Sequence, residues 1–452
     1  MKGEAKLKKS VKAAILSSLI FGGGQFFIGR QRIKGILIFL VQGLCIGLEL
    51  WTGYWIEYLC GRIEHFSLGI YGGYFTKGLW GLVTLGEKSG ARTGDHSIVL
   101  LINGITVILI ILIVLAFYIW NIFDAYHTGK RIDERGEYLS SKEYFQHVTS
   151  KFFPYIILTP IIIGILFIVV MPILFSIVTA FTNYNKNHLP PANLVDWVGL
   201  SNFVKLFKVP VWSKTFFSIL SWNIIWAIVA TFSTYFLGMF QAIILNSKYA
   251  KYKSFFRAIL ILPWAIPQLI TLLVFKNLLN GQFGPIAQLL MDLGLVDHRI
   301  PFLSDPLLAK ITIVFVNLWL GFPMFMIMIQ GVLANIDTGL YEAANIDGAS
   351  SFEVFRCITF PLVFKATAPL FIMNLASNFN GFGIIYFLTE GKPVNPNYHL
   401  AGDTDILISW IYKLTLNERM YDMAAVMCII LFAVVGIASF YNFKHTQSFK
   451  EV

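Results

Sequence analysis

Charge is what this chain has least of. Asp, Glu, Lys and Arg together make up 13% of its 452 residues, about half the share found in an average soluble domain. A water-soluble protein of this length cannot clothe its surface with so few charges. Cysteine is also sparse: Cys45, Cys60, Cys357 and Cys428 stand apart with no CxxC spacing, which argues against a disulfide framework. The eight histidines form neither HxxxH nor HExxH, so no metal site is expected. Hydrophobic residues reach 56%, far too many for a disordered chain.

The apolar residues fall into runs near the ~20 residues that a bilayer core demands. These are 34–50, 98–120, 153–182, 215–246, 257–280, 309–334, 364–389 and 421–443. In lipid each backbone group must be satisfied within its own segment, so the runs are read as helices. Barrel strands would alternate over about ten residues, whereas 156–171 is an almost unbroken apolar run. The expected fold is an all-α polytopic membrane protein with about eight transmembrane helices. Two further stretches, 13–27 and 66–85, are moderately apolar; full insertion of both raises the count to ten. Lys2, Lys6, Lys8 and Lys9 precede the first of them, an outline that superficially matches a signal peptide. The apolar part is broken at Gly22-Gly23-Gly24 and carries no convincing small-x-small cleavage site, so it is read as a retained interfacial or half-inserted segment.

The net charge is +10. In a membrane protein Lys and Arg collect on cytoplasmic loops and beside anionic headgroups, so nucleic acid is not an expected partner. Lys and Arg are more numerous on the loops that share a side with the two termini, which places both termini in the cytoplasm. Residues 121–151 are the most charged interior stretch and read as a cytoplasmic linker between an N-terminal transmembrane extension, 1–120, and a main bundle, 152–447.

Ionisable side chains avoid the interiors of the last six runs; Lys276 and Lys310 sit near ends, where a long side chain can snorkel. Ion-coupled transporters usually carry intramembrane acids or histidines, so that class is disfavoured. No GxxxxGK[ST] phosphate loop occurs, so any ATP-driven step needs another chain. Uncharged polar groups are present instead. Asn317 lies in one run; Asn374, Ser377, Asn378 and Asn380 lie in another, with Asn374 and Asn378 on one helix face. Amides among aromatics suit a neutral, hydroxyl-rich ligand such as a sugar, and they serve equally as bonds between helices. Pro263 and Pro267 each remove a donor and bend a helix, which makes either a cavity, a gate or a static kink.

Residues 340–361 are incompatible with lipid. The stretch starts with helix formers, turns at Asp347-Gly348-Ala349 and resumes with Phe352, Phe355 and Ile358 at three-residue spacing. It reads as two short helices joined at a Gly, with a small-residue surface at Ala343-Ala344 able to enter a groove on a partner. The pattern Glu342-Ala343-Ala344, then Gly348, Ile358 and Pro361, resembles the coupling (EAA) loop of ABC-importer permeases, with Phe360 in place of the usual Leu. From about Phe152 onward the chain is similar to maltose/maltodextrin permease subunits of the MalF type, through the runs 261–267, 302–306, 317–323 and 378–382.

The resemblance implies a type I ABC-importer permease core with an N-terminal helical extension in a bacterial cell (inner, cytoplasmic) membrane. The chain would be a transport subunit with no catalytic residues, metal or cofactor of its own; ATP and Mg would sit on a separate ATPase. Its partners would be a homologous second permease, two ATPase subunits, an extracytoplasmic sugar-binding protein and membrane lipids. Carried over from the family, the sugar contacts would be Asn317, Leu320, Gly321, Ser377, Asn378 and Gly381. The ATPase-coupling residues would be Glu342, Ala343, Ala344, Asp347, Gly348, Ile358 and Pro361. The resemblance implies a maltose/maltodextrin-type oligosaccharide as the solute; family aromatics fall here on Met324 and Ser377, and a family amide on Gly381, which keeps another oligosaccharide such as galactooligosaccharide as the alternative. Two other classes compete: an ion-coupled sugar transporter, and a membrane-embedded transferase using Asp403 and Asp405. These two acids are expected instead to cap the helix that follows.

Overall fold

A computed structural model describes residues 8–63, 67–88, 94–151, 153–247 and 250–445. Lys2, Lys6, Phe66, Phe152 and residues 446–447, which enter the sequence reading, lie outside them. Among the described residues the regular structure is helical, with a few isolated bridges. The chain forms two compact units, Met1–Gly199 and Leu200–Val452.

The first unit contains α1 (Lys9–Leu19), α2 (Arg32–Thr52), α3 (Trp55–Leu59), α4 (Leu68–Tyr71), α5 (Tyr74–Thr84), α6 (Ser97–Arg135), α7 (Ser141–Lys151), α8 (Phe153–Ile165) and α9 (Met171–Thr179). A π-helical turn joins α8 to α9, and together they make one apolar span, Phe153–Thr179. Helix α1 has no side-chain cap of its own; Asp133, near the end of α6, accepts from the backbone N–H of Lys9 (3.0 Å) and Ser10 (2.9 Å). The chain then reverses at Gly22, whose φ of +77° suits only Gly, and a Cβ there would lie 2.2 Å from the Gly35 carbonyl oxygen. That close approach lets α2 begin against the reversal. Glu49 of α2 receives the backbone N–H of Phe75 at 2.8 Å and caps α5 from outside. Helices α1 and α5 have 11 residues each, about 16 Å. That is roughly half a bilayer core, so neither 13–27 nor the described part of 66–85 contains a helix long enough to cross. Leu174, Phe175 and Val178 pack on Leu101, Ile105 and Leu109 of α6.

The second unit contains α10 (Ser201–Lys208), α11 (Pro210–Asn246), α12 (Lys253–Ala265), α13 (Gln268–Leu278), α14 (Pro285–Asp292), α15 (Pro306–Ala334), α16 (Thr338–Ile346), α17 (Ser351–Val354), α18 (Phe360–Phe379), α19 (Phe382–Thr389), α20 (Leu407–Leu416) and α21 (Tyr421–His445). Helix α11 is the spine. Tyr235 and Met239 pack on Phe325, Met326 and Ile329 of α15, while Trp226 and Ala230 meet Ile313, Val316, Ile384 and Ile385.

Six helices among the described residues are long and apolar enough to cross a membrane, and a bent pair makes a seventh. The eighth expected run falls on α21, whose apolar stretch is Tyr421–Ile437. Two runs differ in detail. The fifth is broken into α12 and α13, which meet at 89°. The seventh ends at Phe379: Asn380 and Gly381 leave helical geometry, and α19 starts afresh at Phe382.

Candidate functional site: a cavity at a broken span

The break between α12 and α13 follows from its prolines. Pro267 has no N–H, and Ile266 before it is extended (φ −89°, ψ 136°), as a residue preceding proline prefers. Backbone that leaves the helix inside a membrane protein is tolerated where it lines a cavity. Such a cavity is present, with a volume of 390 Å³. One wall is the break itself, from Pro263 and Trp264 to Pro267 and Gln268; the other is Asn317, Leu320 and Gly321 of α15. Asn317 is buried to 9% exposure, and its side-chain amide makes no hydrogen bond to any described residue.

Half of the expected contact set is thus gathered in one place. Ser377, Asn378 and Gly381 are not on the lining of this cavity; they sit at the end of α18. There Asn378 donates to the Thr231 hydroxyl (2.9 Å) and to Asn374 Oδ1 (3.0 Å). The last carbonyls of α18 are satisfied from α11 as well: Trp226 Nε1 donates to Asn378 O (3.0 Å) and Asn223 Nδ2 to Phe379 O (2.9 Å). Ser377 is exposed. The two groups lean on neighbouring turns of α11, since Thr231 holds Asn378 and the Thr234 methyl lies beside Gly321. Sequence reasoning missed Trp264 and Gln268 as wall residues, although each directly follows one of the two prolines that were the signal. It missed Asn223, Trp226 and Thr231 altogether, for these carry no local pattern.

Residues 340–361 form the two short helices joined at a Gly that their sequence predicts. Asp337 caps α16 by accepting from Gly339 N (2.9 Å). Asp347 ends α16, and Gly348 turns the chain with φ +78°. Ser350 and Glu353 then form a reciprocal cap on α17. Glu342 and Ala343 are exposed and Ala344 is half-buried. Ile346 and Phe352 are exposed by 85% and 68%, a high value for side chains of that kind. Tyr341 and Thr359, with hydroxyls 3.3 Å apart, fasten α16 to the helix that carries Ile358 and leads to Pro361 in the first turn of α18.

Glu390 and Asp405, both outside the spans, anchor two ion clusters. Glu390, at the end of α19, meets Lys276 at 2.5 Å and Lys392 at 3.0 Å; these ammonium groups hold its carboxyl below the usual range. Asp405 is fully buried and meets Lys413 at 2.7 Å. Burial raises its carboxyl above the ordinary value in spite of that partner. Asp405 also accepts from Gly402 N and Ser409 Oγ, while Asp403 accepts from Asn395 Nδ2. The expectation that these two acids cap the next helix is therefore corrected: the cap position of α20 is Ile406. Asp403 is engaged within the loop, and Asp405 is held by the loop and by Ser409 and Lys413 of α20.

Residues 234–446 match the family of binding-protein-dependent transport system inner membrane components. The galactooligosaccharides transport system permease protein GanP of Bacillus subtilis (strain 168) is 40% identical over 440 residues, covering 97% of this chain and 99% of that one. The maltodextrin transport system permease protein MdxF of the same organism is 37% identical, covering 98% and 97%. A bacterial ABC transporter involved in the import of the acidic polysaccharide alginate shares the fold, with a TM-score of 0.54 at 23% identity over 67% of this chain and 99% of that one. The chain belongs to the family of binding-protein-dependent transport system inner membrane components. It is a membrane-embedded permease subunit, and ATP hydrolysis resides on a separate subunit.

Proposed function

We propose that this permease passes a neutral oligosaccharide through the cavity at the broken span. The unpaired Asn317 amide in that cavity is the observation that carries the reading: an amide satisfies sugar hydroxyls, and Trp264 offers an indole face and an N–H beside it. Residues 152–447 serve as the transport core, with Asn317, Leu320 and Gly321 as contacts and Ser377, Asn378 and Gly381 completing the path. A homologous second permease and two ATPase subunits complete the assembly. ATP and Mg act on the ATPase, and Glu342 to Gly348 enter its cleft. An extracytoplasmic binding protein delivers the sugar, and both termini lie in the cytoplasm. Alternating access is then a choice between two packings biased by nucleotide and by the loaded binding protein.

Maltodextrin is the substrate suggested by the motifs at 261–267 and 378–382. Galactooligosaccharide is the second reading, favoured by the 40% identity to GanP over almost the whole chain. The test is ATPase activity of the reconstituted complex with its cognate binding protein. Stimulation by one sugar class and not the other assigns the substrate. Stimulation by neither, with the complex intact, rejects the oligosaccharide reading.

A further inference from the structure

The cavity at the broken span is small for an oligosaccharide. Its 390 Å³ lies near the lower limit of ligand pockets, which run from ~300 to ~1,000 Å³. A longer sugar chain needs a second surface farther along its path. On the reading proposed above, that path passes Ser377, Asn378 and Gly381. Helix α19 starts at the next residue, Phe382.

Phe382 and Tyr386 share one face of α19, four residues apart. Their rings are stacked, with centroids 4.9 Å apart and planes at 17°. Tyr412 of α20 closes the group, its ring centre 4.8 Å from Phe382 and 4.7 Å from Tyr386. The side chains of the two tyrosines are hydrogen-bonded to each other. All three residues are half-buried.

Other faces carry the packing of these helices. Ile384, Ile385 and Leu388 of α19 are buried and belong to the core that includes Ile313 and Val316 of α15. Trp410, Ile411 and Leu414 are the buried side chains of the same kind on α20. The three rings are thus gathered where water still reaches them. Such rings cover the apolar side of a sugar, and the tyrosine hydroxyls can bond its polar edge. Further partners stand one turn beyond Tyr386. Glu390 meets Lys276 through one carboxylate oxygen and Lys392 through the other, which leaves each oxygen a lone pair for a sugar hydroxyl. Ile313 and Val316 lie in the first half of α15, whose other end leads to α16. The rings therefore stand on the side of the bundle away from residues 340–361.

We infer that Phe382, Tyr386 and Tyr412 form a second sugar subsite, which takes the part of an oligosaccharide that the cavity does not hold. The inference rests on the oligosaccharide reading of the proposed function and adds a chain-length preference to it.

The test is sugar-stimulated ATPase of the full complex, reconstituted with its cognate binding protein saturated with sugar. Maltose is compared with maltotetraose, or galactobiose with galactotetraose, whichever pair stimulates the wild type. Tyr386→Leu should lower the response to the tetrasaccharide about tenfold through loss of a stacking face, and leave the disaccharide response nearly unchanged. Tyr386→Phe keeps the ring and should retain most of the tetrasaccharide response. Tyr412→Leu should give the same length-selective loss from the other helix. An equal loss for both lengths makes the rings a structural contact between α19 and α20 and overturns the proposal. An undiminished tetrasaccharide response in both Leu variants also overturns it. Failure of every one of these sugars to stimulate the wild type is a separate outcome: it removes the oligosaccharide reading, and this subsite with it.

Discussion

Asn378 donates its amide to the buried Thr231 hydroxyl at 2.9 Å, tying the end of α18 to the middle of α11. Asn317, by contrast, lines a cavity, and its amide bonds to none of the described residues. The two residues therefore fail differently. Asn378→Leu strands a buried hydroxyl and removes the bond to Asn374, at a cost of about 1–3 kcal/mol; thermal stability and sugar-stimulated ATPase should fall together. Asn317→Leu removes no internal bond. It should lower sugar-stimulated ATPase about tenfold, the equivalent of one lost hydrogen bond to ligand, with little change in Tm. A stable Asn378→Leu protein with normal transport would remove this residue from both roles.

Gly348 makes a second prediction. Its φ of +78° is costly for any residue with a Cβ, yet a Cβ built there meets nothing within 4 Å. The requirement is conformational rather than steric. Gly348→Ala should strain the turn by about 1–2 kcal/mol and Gly348→Asn by less. Membrane insertion and Tm of the bundle should survive in both, while transport-coupled ATPase falls further in the Ala variant. If both variants couple normally, the segment does not transmit force.

What the sequence disclosed was local. Eight apolar runs announce helices because a lipid environment permits little else. Pro263 and Pro267 announce a break because each lacks an N–H. Gly348 announces a turn, and the turn is there. The end of α18 at Asn380-Gly381 was also legible, since Asn-Gly is a turn signal, but the apolar residues on either side hid it. What could not be read was pairing at long range. Nothing near Thr231 marks it as the partner of a residue 147 positions away. Asp405 looked like a cap from its place before a helix, and only the fold shows Lys413 reaching back to it. The first unit's charges were equally opaque, for Lys34 and Asp124 are far apart in sequence and meet at 2.5 Å.

Glu390 links stability to pH with a definite sign. Lys276 and Lys392 depress its folded value below the unfolded one. The stabilisation is therefore present above the unfolded pKa of about 4.3 and is lost as pH falls through the lower folded value. The group is 40% exposed, so solvent screening limits the effect to about 0.5 kcal/mol. Wild type should melt slightly above Glu390→Gln at neutral pH, and the two curves should converge as pH falls from the unfolded value of about 4.3 through the lower folded one. A gap that widens on acidification would contradict the pairing.

The first unit rests on a different ion pair. Lys34 and Asp124 have side chains only 3% and 12% exposed. Asp124 also receives Gln25 Nε2 (2.9 Å) and the Tyr144 hydroxyl (3.1 Å), and the Lys34 ammonium lies 3.3 Å from the Tyr144 ring centre. The reversal, α2, α6 and α7 thus meet at one carboxylate. Asp124→Asn leaves a buried ammonium without its counter-charge and should destabilise this unit by about 3–5 kcal/mol. Lys34→Met combined with Asp124→Leu removes both charges and should recover much of that loss, since apolar replacement of a buried pair is often neutral. Limited proteolysis of the first 151 residues together with Tm reads both variants. A double variant no more stable than Asp124→Asn would mean that the Gln25 and Tyr144 bonds, rather than the ion pair, hold the unit together.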